Sequence, residues 1–190
     1  DYCLGGIGGY WGIHHLDIAQ WGHGTDHTGP VEVEGTATFP ESGLADCAVS
    51  WNVTHTYADG VKLIYTDRRQ NKQGVVFQGT EGWVYVKRGH IDAEPKSLLT
   101  SKIGPNEIHL QKTPGHQREF LDCIKSRSEP VAPVEVGHRS VTICHLAGIA
   151  RELGRTLRWD PESETFPDDE QARGLLDRER RSGWELPDVA

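Results

Sequence analysis

In residues 31–39, Val31, Val33, Ala37 and Phe39 alternate with Glu32, Glu34, Thr36 and Thr38. A period of two turns one side of an extended chain toward a core and the other toward water, so this stretch predicts a half-buried strand. Trp51, Val53, His55 and Tyr57 repeat the pattern against Asn52, Thr54 and Thr56, and Asp59-Gly60 then leads into Val61, Leu63 and Tyr65. Asp-Gly between two alternating runs is a strong hairpin signal. A second hairpin is predicted where Gly79-Thr80-Glu81-Gly82 joins Val75–Gln78 to Trp83–Lys87. At least five strands in succession, joined by short turns, call for antiparallel pairing.

The period then lengthens. Residues 91–114 read as irregular, with three prolines and mixed polarity. Past His116, the residues Phe120, Cys123 and Ile124 fall on one helical face, and 126–133 ends that helix. Ile143, Leu146, Ala147, Ala150 and Leu153 form a cleaner amphipathic helix that Gly154 stops. The charged segment 168–181 predicts a short surface helix held by little. Ahead of the strands, a helix runs from Trp11 to about Trp21, and 22–30 reads as a loop. Strands followed by helices imply one α+β domain over residues 1–190: an open, mainly antiparallel sheet with helices packed on one face. The other face carries Glu32, Glu34, Thr36, Thr38, Asn52, Thr54 and Thr56 together with Ile64, Val84 and Val86. That mixture suits a flat subunit contact or a substrate surface, with plain solvent exposure as the alternative.

Composition narrows the function classes. A chain of 190 residues with 36% apolar content supports one domain with a modest core. A formal charge of −8 argues against nucleic acid, whose phosphates need a basic surface. No apolar run reaches the ~20 residues of a membrane helix. Methionine is absent throughout, which marks the chain as a processed product or a piece of a longer one. Cysteines at 3, 47, 123 and 144 form no paired motif, and Cys123 and Cys144 read as buried thiols. A reducing, cytoplasmic compartment follows.

The candidate chemistry gathers near the front. In a helix, His14 and Asp17 stand three apart on one face, and an imidazole beside a carboxylate can move a proton near neutral pH. The plainer alternative is a histidine bonded to its neighbour for structural reasons. His15 diverges from His14 by about 100° and lies nearer Ala19 and Gly22. The glycines at 5, 6, 8 and 9 do not make a dinucleotide fingerprint: Trp11 stands where Gly or Ala is needed, and no apolar strand precedes them. His14, His15, His23 and His27 with Asp17 and Asp26 raise a metal site, but their spacing defines no ligand geometry, and none is assigned. Asp92 and Glu94 read as solvated acids in a loop.

Taken together, several segments resemble the C-terminal domain of the Gfo/Idh/MocA oxidoreductases, in a bacterial, planctomycete-like branch. They are Trp11-Gly-Ile-His-His-Leu-Asp-Ile-Ala-Gln-Trp21, Gly29-Pro-Val-Glu-Val-Glu-Gly35, the run from Phe77 to Val86, the run from Phe120 to Arg127, Pro133-Val-Glu-Val-Gly-His-Arg-Ser140 and Gly154-Arg-Thr-Leu-Arg-Trp-Asp-Pro161. The resemblance implies an open antiparallel sheet that mediates homo-oligomers, and a domain that shapes a pocket for a small, carbohydrate-like substrate. The NAD or NADP of the parent enzyme belongs to a Rossmann domain outside this stretch, so no cofactor site is expected here. In the family motif Asp-x-Gly-x-His-x-x-Asp, the residues Gly12, His14 and Asp17 match, while Tyr10 replaces the leading Asp. The resemblance assigns His14, Asp17 and Tyr10 to catalysis, and Trp11 and His15 to substrate contact. Tyr10 can bond a hydroxyl but holds no charge at neutral pH. Two other readings stand beside this one: a free-standing lyase or hydrolase acting on a carbohydrate, with or without a metal, and a purely structural assembly module.

Overall fold

The computed structural model describes residues 11–44, 46–177 and 179–185. Helix α1 (Trp11–His23) comes first, followed by strands β1 (Glu32–Thr38), β2 (Ser50–Thr56) and β3 (Lys62–Thr66), then β4 (Val75–Gln78), β5 (Trp83–Lys87) and β6 (His90–Glu94). A short 3-10 turn, Lys96–Thr100, leads on to helix α2 (His116–Ser126), the long helix α3 (Val134–Leu153), strand β7 (Leu157–Arg158) and helix α4 (Glu170–Arg173). The fold is α+β, as expected. Its strands divide into two antiparallel sheets, ordered β3-β2-β1-β7 and β4-β5-β6.

The larger sheet follows the alternation in its sequence. Val33 pairs with His55 and Leu157, and Val53 with Tyr65. These inward side chains meet α3, whose Leu146, Ala147 and Ala150 are buried against them together with Trp159 and Phe166. Trp159 and Phe166 meet edge to face at 4.9 Å, a favoured aromatic geometry. A second cluster joins α1 to α3 through Leu16, Ile143 and Cys144. Gly154 ends α3 in the left-handed conformation (φ 62°), where its N–H caps the carbonyl of Ala150.

Helix α1 also rests on the smaller sheet. Gly22 lies so close to the Phe77 ring that a Cβ there would sit 2.2 Å from it. At the other end of the helix, Arg88, from the turn between β5 and β6, lies 5.4 Å over the Trp11 ring.

Several local expectations are corrected. The irregular 91–114 contains most of β6, which pairs with β5 from Trp83↔Glu94 to Lys87↔His90. Helix α1 runs two residues beyond Trp21, to His23. The 168–181 helix shrinks to Glu170–Arg173 and is firmly held: Ala172 is fully buried, and Arg173 donates to the carbonyls of Phe166 and Pro167 at 2.8 Å each. No residue of α2 is buried. Phe120 is 65% exposed and Cys123 only half-buried, because the apolar stripe of α2 joins neither core cluster of the described residues. Cys144 is buried, as read from the sequence.

Candidate functional site

Helical spacing sorts the residues of α1. Gly12, Leu16 and Gln20, four apart, form the buried side. His14, Asp17 and Trp21 make the next stripe and open onto a groove of about 490 Å³. Its other wall is the start of α3, with Pro133, Val134, Gly137, His138 and Val141. Pro133 precedes the first helical residue with φ −66°, a value that fits a helix start.

Asp17 is fixed from across the groove. Ser140, almost fully buried on α3, donates its hydroxyl hydrogen to Asp17 Oδ1 at 2.7 Å. His14 is exposed on the same wall as Asp17. The groove thus holds an accessible imidazole, an anchored carboxylate and an apolar floor from Ile13, Val136 and Val141. Few polar groups on an apolar surface is the usual form of a small-molecule site.

Trp11 and His15 lie outside the groove lining. The Trp11 ring is 5.8 Å from that of His14 and stacks on His15 at 6.3 Å. Burial, then the neighbouring charges of His14 and Arg88, push the His15 imidazole below its ordinary pKa. Tyr10 and the glycine-rich run before it lie outside the described residues.

The remaining histidines of the front segment do not join this group. His23 Nε2 bonds Asp59 Oδ2 at 2.9 Å and meets the Tyr57 ring edge-on at 4.6 Å. Beside it, Gln20 accepts from the Tyr57 hydroxyl at 2.6 Å and from Thr25 Oγ1 at 2.5 Å, which locks the end of α1 to the residue just past β2 and to its own following loop. Among the described residues, no three His, Cys, Asp or Glu side chains gather as metal ligands. Every strand pairing described is antiparallel, so these residues offer a dinucleotide no parallel βαβ cradle.

Three groove residues were not singled out in the sequence: Trp21, His138 and Ser140. The available signal was Pro133, which starts a helix and brings the side chains just behind it to one end of the domain.

Over residues 1–186 the chain matches a Gfo/Idh/MocA family described as "Oxidoreductase family, C-terminal alpha/beta domain". No curated protein matches it. Solved structures with a similar fold include the aldose-aldose oxidoreductase of Caulobacter crescentus complexed with glycerol (18% identity, TM-score 0.57, 77% of this chain and 45% of that one). An NAD-binding protein from Listeria innocua aligns with 16% identity and TM-score 0.55 over 81% of this chain and 48% of its own. The WlbA dehydrogenase of Bordetella pertussis, solved with NADH and UDP-GlcNAcA, aligns with 14% identity and TM-score 0.53 over 78% and 43%. The chain spans just under half the length of each of these proteins.

Proposed function

Because the chain belongs to the Gfo/Idh/MocA oxidoreductase family, as its C-terminal α/β domain, we propose that it is the substrate-facing and oligomerising part of an NAD(P)-dependent sugar or cyclitol dehydrogenase-like protein. One observation carries the reading: His14 and Asp17 open onto a single groove, with Asp17 held by Ser140. Oxidising an alcohol to a carbonyl removes a hydride from carbon and a proton from oxygen. A nicotinamide, when bound, accepts the hydride. The residues described here handle the proton and the fit of the hydroxyl.

In this reading His14 takes the hydroxyl proton as the carbonyl forms and returns it in the reverse direction. Imidazoles are the side chains most often used to take and return a proton in such a step. Asp17, kept in place by Ser140, lies on the same wall and favours the imidazolium at the moment it forms. Trp21, half-exposed on that wall, offers a flat apolar surface to the C–H face of a ring.

Titration of the isotopically labelled chain with myo-inositol and D-glucose tests the proposal. Saturable shifts at His14, Asp17 and the Trp21 indole are expected. Binding by neither compound, or shifts confined to a different surface, rejects it.

A further inference from the structure

His138 faces the same groove from α3, and its surroundings are more elaborate than a surface histidine needs. Its Nε2 lies 2.7 Å from Glu164 Oε1. A carboxylate only accepts, so Nε2 carries the proton, and in the neutral imidazole Nδ1 is a bare acceptor. Nδ1 has no hydrogen-bond partner among the described residues. Arg139 Nη1 also reaches Glu164 Oε1, at 2.7 Å, and Arg139 is itself held by Glu135 Oε1 at 2.6 Å and by the carbonyl of Pro161 at 2.7 Å.

The loop beneath is shaped to present this carboxylate. Asp160 pairs with Thr165, and Asp160 Oδ1 accepts from the N–H of Glu162 at 2.9 Å. Between them Glu164 adopts φ 51°, the left-handed region that favours glycine or asparagine. Strain of that kind persists where the surroundings impose it, and it gathers at functional sites. Stability alone gives it little justification. The His138 and Glu164 side chains are 45% and 35% exposed, and ion pairs so close to water contribute little to folding.

We propose that His138 and Glu164 form a hydroxyl-recognition dyad, with His138 lining the groove on the wall opposite His14, Glu164 bonded to its Nε2, and His138 Nδ1 accepting a hydrogen bond from a neutral polyhydroxylated ring. This rests on the function proposed above. An apolar floor flanked by two imidazoles matches a ring with C–H groups on its face and hydroxyls at its edge. Glu164 acts through His138, fixing its tautomer as a carboxylate commonly does behind a working histidine.

Two substitutions separate recognition from a structural ion pair. The amide of His138→Gln overlies Nε2 and keeps a partner for Glu164, but it puts nothing in the place of Nδ1. The amide of His138→Asn overlies Nδ1. Nitrogen-resolved NMR of the labelled chain above neutral pH should show His138 protonated at Nε2 and bare at Nδ1. Titration with myo-inositol and D-glucose should then move the Nδ1 resonance. His138→Gln should weaken binding about tenfold, the loss of one hydrogen bond, and His138→Asn by clearly less. A proton on Nδ1, unchanged binding in His138→Gln, or His138→Asn binding no better than His138→Gln overturns the dyad and leaves the His14 assignment standing. A wild-type chain that binds neither compound overturns both.

Discussion

Ser140 Oγ donates to Asp17 Oδ1 at 2.7 Å across 123 positions of sequence, and this bond closes the back of the groove. It is the point at which the helix carrying His14 is tied by a polar contact to the helix carrying His138. Ser140→Ala should lower stability by about 1.5–3 kcal/mol, the range for a hydrogen bond to a charged group. Urea unfolding measures it. A loss near zero would mean that Asp17 finds water or another donor at no cost.

His14→Ala and His15→Ala should separate chemistry from packing. In the complete oxidoreductase, His14→Ala is expected to reduce turnover about 10²-fold, the usual contribution of a positioned acid or base. Its melting temperature should hardly change, because the side chain is exposed. His15→Ala removes a ring stacked on Trp11, so it should lower stability and spare turnover. Full turnover in His14→Ala would assign the proton to another group.

Acid should lower the stability of the protein in two stages. His55 is completely buried, with Nε2 3.1 Å from the carbonyl of Ile143, and burial pushes its imidazole down to about 4. In the unfolded chain the group titrates near ~6.5. Between those values the unfolded state holds a proton that the folded state refuses. Stability is therefore complete above ~6.5 and falls through the window by about 3 kcal/mol, with no further loss from this group below it. Asp67 contributes to the lower stage, together with other hydrogen-bonded carboxylates such as Asp169. The Asp67 carboxyl, bonded by Ser50, Gln70 and the Arg69 N–H, lies well below the usual carboxylate range, so its contribution is present above ~4 and is lost as pH falls further. Urea midpoints against pH check this, and His55→Gln should lose most of the upper slope, leaving the part due to His15 and His145, whose imidazoles burial also pushes down.

The outward face of the larger sheet is proposed as the contact between copies. Ile64 is 63% exposed there, beside Glu34 and Thr54. Light scattering should give a mass at least double that of the 21.1 kDa chain, and Ile64→Arg should return it to a single chain. A wild-type protein that runs as a single chain at micromolar concentration refutes the proposal.

Cys144 should resist thiol reagents until the protein unfolds. It is buried among Leu16, Ile143 and Tyr65, and burial pushes its thiol up to about 12, so almost no thiolate is present at neutral pH. Cys47 and Cys123, both half-buried, should react before it. Rapid labelling of Cys144 in the native protein would show that α1 opens away from α3.

Much of the fold was legible because burial leaves a period in the sequence. Val33 and Val53 alternate with polar neighbours, and Leu146, Ala147 and Ala150 recur at helical spacing. Other elements carry no such period. His90–Glu94 contains two acids and becomes β6 only by pairing with β5, while Leu157–Arg158 is two residues long and is made a strand by the edge of β1. The stripe on α2 pointed inward, yet amphipathicity records only that a face is apolar, and this one joins neither core cluster. At the groove, the spacing of His14 and Asp17 was visible within one helix. Ser140 and His138 were not, because a contact across 123 positions leaves no local pattern.

The close approach of Gly22 to Phe77 gives α1 a mechanical character. The helix is a beam with four bearings: the Phe77 ring and the Tyr57 hydroxyl at its last turns, Arg88 over the Trp11 ring at its start, and α3 along its middle. Two of the four belong to the smaller sheet, yet none involves His14 itself. The reach of His14 toward the far wall is thus set by the footing of its helix and not by any contact of its own side chain with that wall.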